Sequence, residues 1–97
     1  MNYTELLDFS DSVTHVDKTS ITLSYNFNDY DDMSDFQTKV NKLYSNFFNF
    51  NIMFESQYQR IKEKFNAFKY SLTIMIIISN DCQLDDIKSF IVDIDSI

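Results

Sequence analysis

The spacing of the apolar residues changes twice along this chain, and that change constrains the fold more than any other feature. Ser20–Phe27 alternates between apolar and small polar side chains, which predicts a half-buried strand. Apolar residues in Ser34–Lys69 recur at steps of three and four, as on one face of a helix. Ser71–Ile78 is again β-branched and apolar, as in a central strand covered on both sides. The sequence therefore predicts an α+β domain: a small, mostly antiparallel sheet packed against a long or broken amphipathic helix, with short terminal helices.

The central helical pattern is too long for a domain of this size. Ser34 and Gln37 form a capping box that predicts the helix start. An unbroken helix to Lys69 would measure about 54 Å, whereas a compact domain of this length is roughly 30 Å across. Either the helix breaks near Asn49–Ile52, which we favour, or its far half protrudes and pairs with another chain. Residues 48–54 also alternate with period two, so a short strand there stays an open alternative.

Shorter patterns predict elements near both ends. Asn2 and Glu5 resemble a helix cap, and Tyr3, Leu6 and Leu7 share one helical face. "SVTHV" predicts a short strand that turns through Asp17 and Lys18. After Asp81, a potential cap, the sequence predicts a helix with one apolar face, formed by Leu84, Ile87, Ile91 and Ile94. A closing strand through "FIVDI" is the alternative.

The length and composition favour a single domain that does not insert into a membrane. The 97 residues fit a single domain, 1–97, and a single cysteine favours a reducing compartment. The apolar run Ile74–Ile78 is far too short to span a bilayer, and the N-terminus lacks a signal-peptide pattern. We expect a cytoplasmic protein, in the host cytoplasm if it is viral.

Known catalytic and metal-binding signatures are missing from the sequence. The chain has no glycine, which excludes glycine-rich phosphate loops and the nucleophile elbow, and it has one histidine, His15, and one thiol, Cys82. A calcium loop that began at Asp29 would need glycine and glutamate where Ser34 and Val40 stand. We therefore expect no enzyme, no catalytic residues, no metal and no cofactor.

The charges are unevenly distributed along the chain. The formal net charge is −6 in residues 1–32, +3 in residues 33–69 and −4 in residues 70–97. This distribution favours a basic protein as partner and disfavours direct contact with nucleic acid or a membrane. The segment Tyr58–Tyr70 combines basic and aromatic residues as single-strand binders do, but on a helical wheel its bases only flank an apolar stripe.

The candidate partner-binding residues lie in two acidic stretches. In Tyr25–Phe36 we expect Asp29, Asp31 and Asp32 to contribute charge and Tyr30 to act as an amphipathic anchor. Other acidic residues can extend this surface, namely Asp81, Asp85 and Asp86. The alternative is that the first stretch is only a solvated lead into the helix, which it helps to cap.

In size and acidic character, the whole chain resembles small single-domain inhibitors of phages and mobile elements, among them anti-CRISPR and anti-restriction proteins. The resemblance rests on general character and on no motif. It implies a stoichiometric, non-enzymatic inhibitor of a nucleic-acid-binding protein, such as a CRISPR or restriction nuclease. The alternative function is a small assembly or regulatory subunit that binds through its aromatic helix face. We expect any homodimer to form through residues 47–54.

Overall fold

One four-stranded antiparallel sheet and three helices make up the fold. The computed structural model describes residues 4–47, 52–64, 67–79 and 82–97. The sheet has the strand order β1-β2-β4-β3. In chain order the elements are α1 Leu6–Phe9, β1 Val13–Val16, β2 Ser20–Phe27, α2 Tyr30–Tyr44, β3 Ile52–Lys64, β4 Ala67–Ile78 and α3 Leu84–Asp95. The predicted α+β class is confirmed.

Strand β4 is central, as predicted, and is paired along both of its edges. Its pairing with β2 runs from Ile77 opposite Ser20 to Tyr70 opposite Phe27. Its pairing with β3 extends further, to Ala67 opposite Lys64. The side chains of Leu72, Ile74 and Ile76 are fully buried, whereas Met75 on the other face is 39% exposed. The expectation that both faces are covered is therefore wrong, because α2 and α3 pack on one face only.

Helix α2 is shorter than the apolar stripe and starts earlier than the capping box. It begins at Tyr30 rather than Ser34, because Asp29 provides the cap, and it ends at Tyr44. The second half of the stripe is strand β3, so both the single long helix and the two-helix form are wrong there. The pairing with β4 outweighs a helical preference that is only a fraction of a kcal/mol per residue, of order 0.5. The expected break lies mostly in residues 48–51, outside the described residues.

The core lies between the sheet and the helices, with Phe90 of α3 among three other rings. The centroid of Phe90 is 5.0 Å from that of Phe47, 6.1 Å from Tyr44 and 6.0 Å from Phe54. Three of the four residues predicted for the apolar face of α3 are fully buried, namely Ile87, Ile91 and Ile94. The predicted C-terminal helix is confirmed over the alternative strand. Its N-cap is Gln83, without a side-chain cap hydrogen bond, rather than the proposed Asp81, which lies outside the described residues.

The predicted N-terminal helix and strand are present as α1 and β1. Glu5 is the N-cap of α1 and makes no side-chain cap hydrogen bond, so the helix start predicted from Asn2 and Glu5 is wrong. Leu6 is fully buried while Leu7 is 45% exposed, so these two residues do not share a buried face, and Tyr3 lies outside the described residues. The turn into β2 is held by Asp17, whose carboxylate accepts hydrogen bonds from the backbone N–H groups of Thr19 and Ser20. These bonds, led by that from Thr19, lower the pKa of Asp17.

A carboxylate at the end of α3 connects three parts of the chain. Asp95 accepts hydrogen bonds from the hydroxyls of Ser10 at 2.5 Å, Ser12 at 2.9 Å and Tyr25 at 2.7 Å. Burial, together with the nearby Asp95, raises the pKa of Tyr25 above its usual range, so its phenol stays protonated and donates. Asp95 thus joins the segment between α1 and β1, and strand β2, to the last turn of α3.

We expect Asp95→Ala to lower the free energy of unfolding by about 1–2 kcal/mol, because three hydroxyls lose a charged acceptor. Asp93→Ala is the matched control on the same helix: its carboxylate is exposed and joins no ion pair among the described residues, so the change should stay within about 0.5 kcal/mol. Urea unfolding followed by circular dichroism measures both. Equal stability of the two variants would contradict the role of Asp95.

Candidate partner-binding surface

The acidic stretch predicted from the sequence forms the start of α2. Asp29 is extended, with φ −136° and ψ 136°, and its side chain accepts the backbone N–H of Asp31 at 2.7 Å. Asp31 and Asp32 lie in the first turn, at the positive end of the helix dipole. We call Asp29, Asp31 and Asp32 the acidic helix start. All three are exposed, so they stabilise the helix and still present their charge to solvent.

Asp35 has a local partner. Its carboxylate lies 3.1 Å from the ammonium of Lys39, one helical turn further along α2. Such exposed pairs contribute only about 0.3–0.5 kcal/mol. Asp35 is therefore partly neutralised, whereas the described residues contain no ion pair that includes a member of the acidic helix start.

Tyr30 packs against two tyrosines of the sheet. Its ring centroid lies 5.7 Å from Tyr58 on β3 and 5.6 Å from Tyr70 on β4, in edge-to-face geometry at 73° and 70°. We call these three rings the tyrosine platform. Tyr30 is nevertheless 45% exposed and Tyr58 is 48% exposed. The expected anchor is thus fixed by its neighbours, with about half of its surface available for contact.

Beyond the tyrosine platform, β3 and β4 continue as a two-stranded arm, because β2 ends opposite Tyr70. This basic arm comprises Gln59–Lys64 and Ala67–Lys69. Residues 59–69 hold four of the eight basic residues and one of the fifteen acidic residues, so they carry +3 and the remainder of the chain −10. The molecule is correspondingly elongated, with principal extents of 47 × 25 × 18 Å.

Contacts within the basic arm engage some of its charges. The guanidinium carbon of Arg60 lies 4.6 Å from the centroid of the Phe68 ring, and the ammonium of Lys69 lies 3.0 Å from the carboxylate of Glu63. The ion pairs found in the described part of the chain include neither Lys62 nor Lys64. Both lysines are exposed to solvent.

The other predicted acidic residues lie elsewhere. Asp85 and Asp86 lie in the first turn of α3, which follows β4 in the chain. Strand β4 ends at Ile78, opposite Ile52 of β3. Ile52 is six residues from Tyr58 along β3, or about 20 Å. The last residue, Ile97, lines an open pocket with Asp32, so α2 and α3 run antiparallel and their acidic starts lie at opposite ends. The predicted acidic residues thus form two patches, and Asp81 is outside the described residues.

The helical interpretation of residues 58–69 is wrong, and it does not include the arm or the Tyr58 ring of the platform. On a wheel, Tyr58 was assigned to a buried stripe, whereas in the structure it is exposed on β3. The signal that could have found this strand is the alternation of Ile52, Phe54 and Tyr58, which continues the period-two pattern noted for residues 48–54. No glycine or proline marks a hairpin turn in this sequence, which removed the usual cue.

The residues considered for catalysis are separated by burial. Cys82 is 1% exposed, while the His15 side chain is 66% exposed on β1, 3.8 Å from Asp17. In the described ranges, no three His, Cys, Asp or Glu residues are grouped so that they could hold a metal ion. Nor does any described helix have the length and apolar character needed to cross a membrane. The absence of enzyme activity stays a prediction.

Comparisons with protein-family models, with curated proteins and with solved structures found no match for this chain.

We expect Asp29→Ala to lower the free energy of unfolding by about 1 kcal/mol, because the N–H of Asp31 loses its side-chain acceptor. Asp29→Asn keeps an acceptor and should remain close to the original stability. Urea unfolding of the two variants provides the measurement. If alanine and asparagine were equivalent, the capping role of Asp29 would be wrong.

Proposed function

We propose that this chain is a non-enzymatic protein-binding module that uses the acidic helix start and Tyr30 to occupy a basic surface of its partner. The observation that carries the proposal is Tyr30 itself. It is held by two other rings, is half exposed, and is flanked in sequence by three exposed carboxylates. Ordered aromatic anchors with a polar rim are typical of the energetically dominant part of protein interfaces.

A nucleic-acid-binding protein is the partner class that best fits this charge pattern. Duplex DNA presents one negative charge per about 1.7 Å of its axis, and proteins that bind it line their grooves with Lys and Arg. The acidic helix start places three carboxylates on the cap and first turn of one helix, within about 5 Å of its axis. The Lys and Arg side chains of such a groove would attract these carboxylates much as they attract phosphates. The tyrosine platform adds contact area.

The proposal agrees with the resemblance to acidic inhibitors of phages and mobile elements. A stoichiometric inhibitor of a CRISPR or restriction nuclease would act in the host cytoplasm and would need no cofactor. Its own acidic body, at −10 outside the arm, disfavours nucleic acid as its direct partner. Asp85 and Asp86, at the other end of the helix layer, would form a second and separate contact.

The alternative function, assembly through an aromatic helix face, has less surface available. Met33 and Val40 of α2 are fully buried, and Phe36 and Leu43 pack against the core. Of the described residues in 47–54, only Met53 is exposed, at 62%. The acidic surface is therefore the better supported candidate.

The test compares two variants that remove the same charge. In the first, Asp29, Asp31 and Asp32 are changed to Asn. The control changes three exposed carboxylates elsewhere to Asn, namely Asp8, Asp11 and Asp93. Each protein is used to capture partners from its native source, and a captured protein is then purified and assayed for nucleic-acid binding with and without the chain.

We expect the original chain and the control variant to displace nucleic acid from the partner at a stoichiometric ratio. The first variant should bind about 10-fold more weakly at ~0.1 M salt, and the difference should shrink towards ~1 M salt as the Debye length falls from ~10 to ~3 Å. Equal binding by both variants across the salt series would remove the acidic helix start from the proposal. A partner that does not bind nucleic acid would reject the inhibitor class.

A further inference from the structure

Strand β3 forms an edge of the sheet, and no strand in the described part of the chain pairs with its outer side. It is 13 residues long, lacks proline, and carries one charge, Glu55, in its first eight residues. Long edges of this kind are templates for pairing with another strand, and proteins usually protect them with charges, proline or a covering element. Helix α2 contacts β3 from one face of the sheet, where Tyr30 packs on Tyr58, Gln37 donates to Ser56, and Tyr44 packs on Phe54 and donates to the carbonyl of Ile52. No described strand pairs with the outer edge of β3.

The side chains of β3 show which strand suits the edge. On the face of the sheet away from α2 and α3, β3 presents two large exposed apolar residues, Met53 at 62% and Ile61 at 43%. They lie four residues on either side of Gln57. An antiparallel second copy centred on Gln57 therefore places each Met53 opposite the Ile61 of the other copy. We propose that β3 pairs with β3 of a second copy in this register, joining two sheets into one of eight strands.

The charges agree with this register. It places Glu55 opposite Gln59 of the second copy, and Arg60 opposite Phe54, so no like charges oppose each other within Ile52–Arg60. A register centred on Gln59 would place Glu55 opposite Glu63. The chosen register also brings Arg60 and Lys62 of one copy beside the end of α2 in the other, because Tyr44 packs on Phe54 there. Cations are favourable at the negative end of a helix dipole.

The pairing also gives the two-stranded basic arm a third strand. The arm has no third strand on the β2 side, because β2 ends opposite Tyr70. In the proposed dimer, the first part of the arm, Gln59–Lys62, lies beside Ile52–Glu55 of the second copy. Isolated two-stranded ribbons are marginal in water, and a third strand with apolar contacts stabilises them.

The two tyrosine platforms meet in this dimer. Tyr58 stands opposite Ser56 of the second copy, so the two Tyr58 residues are diagonal neighbours, about 7–8 Å apart. The acidic helix starts stay further apart, because β4 and its copy are three strand spacings from each other, about 14 Å. That distance exceeds the ~8 Å Debye length at physiological ionic strength. The dimer would thus present one enlarged aromatic surface with an acidic helix start on either side.

Cysteine cross-linking tests the register directly. Gln57→Cys faces its own copy at the twofold axis, where the Cα separation of about 4.5–5.5 Å suits a disulfide. We expect this variant to form a covalent dimer on mild oxidation. Gln59→Cys is the matched control, because its copy lies four residues away along the strand, about 13 Å. Cross-linking of position 59 and not 57 would overturn the register.

Charge substitution tests the same contact without cysteine. Met53→Lys with Ile61→Lys places lysine opposite lysine, and Met53→Glu with Ile61→Glu places glutamate opposite glutamate; each should associate at least ~10-fold more weakly. A mixture of the two variants should form a heterodimer, and Met53→Glu with Ile61→Lys should dimerise alone. The control, Leu7→Lys with Val92→Lys, changes two exposed apolar residues elsewhere, at 45% and 47%, and should remain dimeric.

Sedimentation velocity gives the mass in each case. An original chain that is monomeric at every concentration, or a dimer that persists in the Lys–Lys variant, would overturn the proposal. The inference does not depend on the proposed function, since none of these substitutions touches the acidic helix start. A chain that dimerises as described but captures no basic partner would reject the function alone.

Discussion

The double pairing of β4 is the interaction on which the rest of this structure depends. Along one edge β4 pairs with β2, and along the other with β3, which gives its backbone groups partners on both sides over most of its length. Its buried face supplies Leu72, Ile74 and Ile76, which form one core cluster with buried residues of α2 and α3. Without β3, this apolar strand would be an exposed edge. The requirement for a second neighbour therefore explains why residues with reasonable helix propensity form a strand.

The unequal lengths of the strands have an electrostatic consequence. β2 has 8 residues, whereas β4 has 12 and β3 has 13, so the hairpin of β3 and β4 extends past the rest of the sheet. The basic residues of 59–69 fall in this extension. The positive charge of the middle of the sequence therefore lies on the basic arm, apart from the acidic remainder of the molecule. The separation arises from strand length as much as from composition.

The parts of the fold that sequence could predict are those where one pattern has no rival. The apolar face of α3, with Ile87, Ile91 and Ile94, repeats at helical spacing with acidic residues between, and it folds as a helix. The alternation of Ser20–Phe27 likewise has one interpretation. The prediction of a helix after Tyr44 is wrong because a spacing of four residues fits both periods. Residues 54 and 58 would lie on the same face of a helix, and they also lie on the same face of a strand. Only the pairing with β4, which no local pattern contains, separates the two.

The same limit applies to the candidate site. Asp29, Tyr30, Asp31 and Asp32 could be found from sequence because they are contiguous. Of the two rings that hold Tyr30, Tyr70 lies in β4, a strand that the sequence predicts, whereas Tyr58 lies in β3, where the sequence predicts a helix.

The acidic helix start shows why a structural role and a binding role need not exclude each other. An N-cap contributes about 1 kcal/mol and each acidic residue in the first turn about 0.3–1 kcal/mol, and these contributions use the backbone N–H groups and the local dipole. They do not require the carboxylates to be buried, and here all three stay exposed. A basic partner would approach from the solvent side and meet the remaining oxygen lone pairs. Because the helix already holds these side chains in place, less conformational entropy is lost on binding than in a flexible loop. The capping interpretation, which treats the stretch as a lead into the helix, therefore describes the scaffold of the proposed surface rather than its rival.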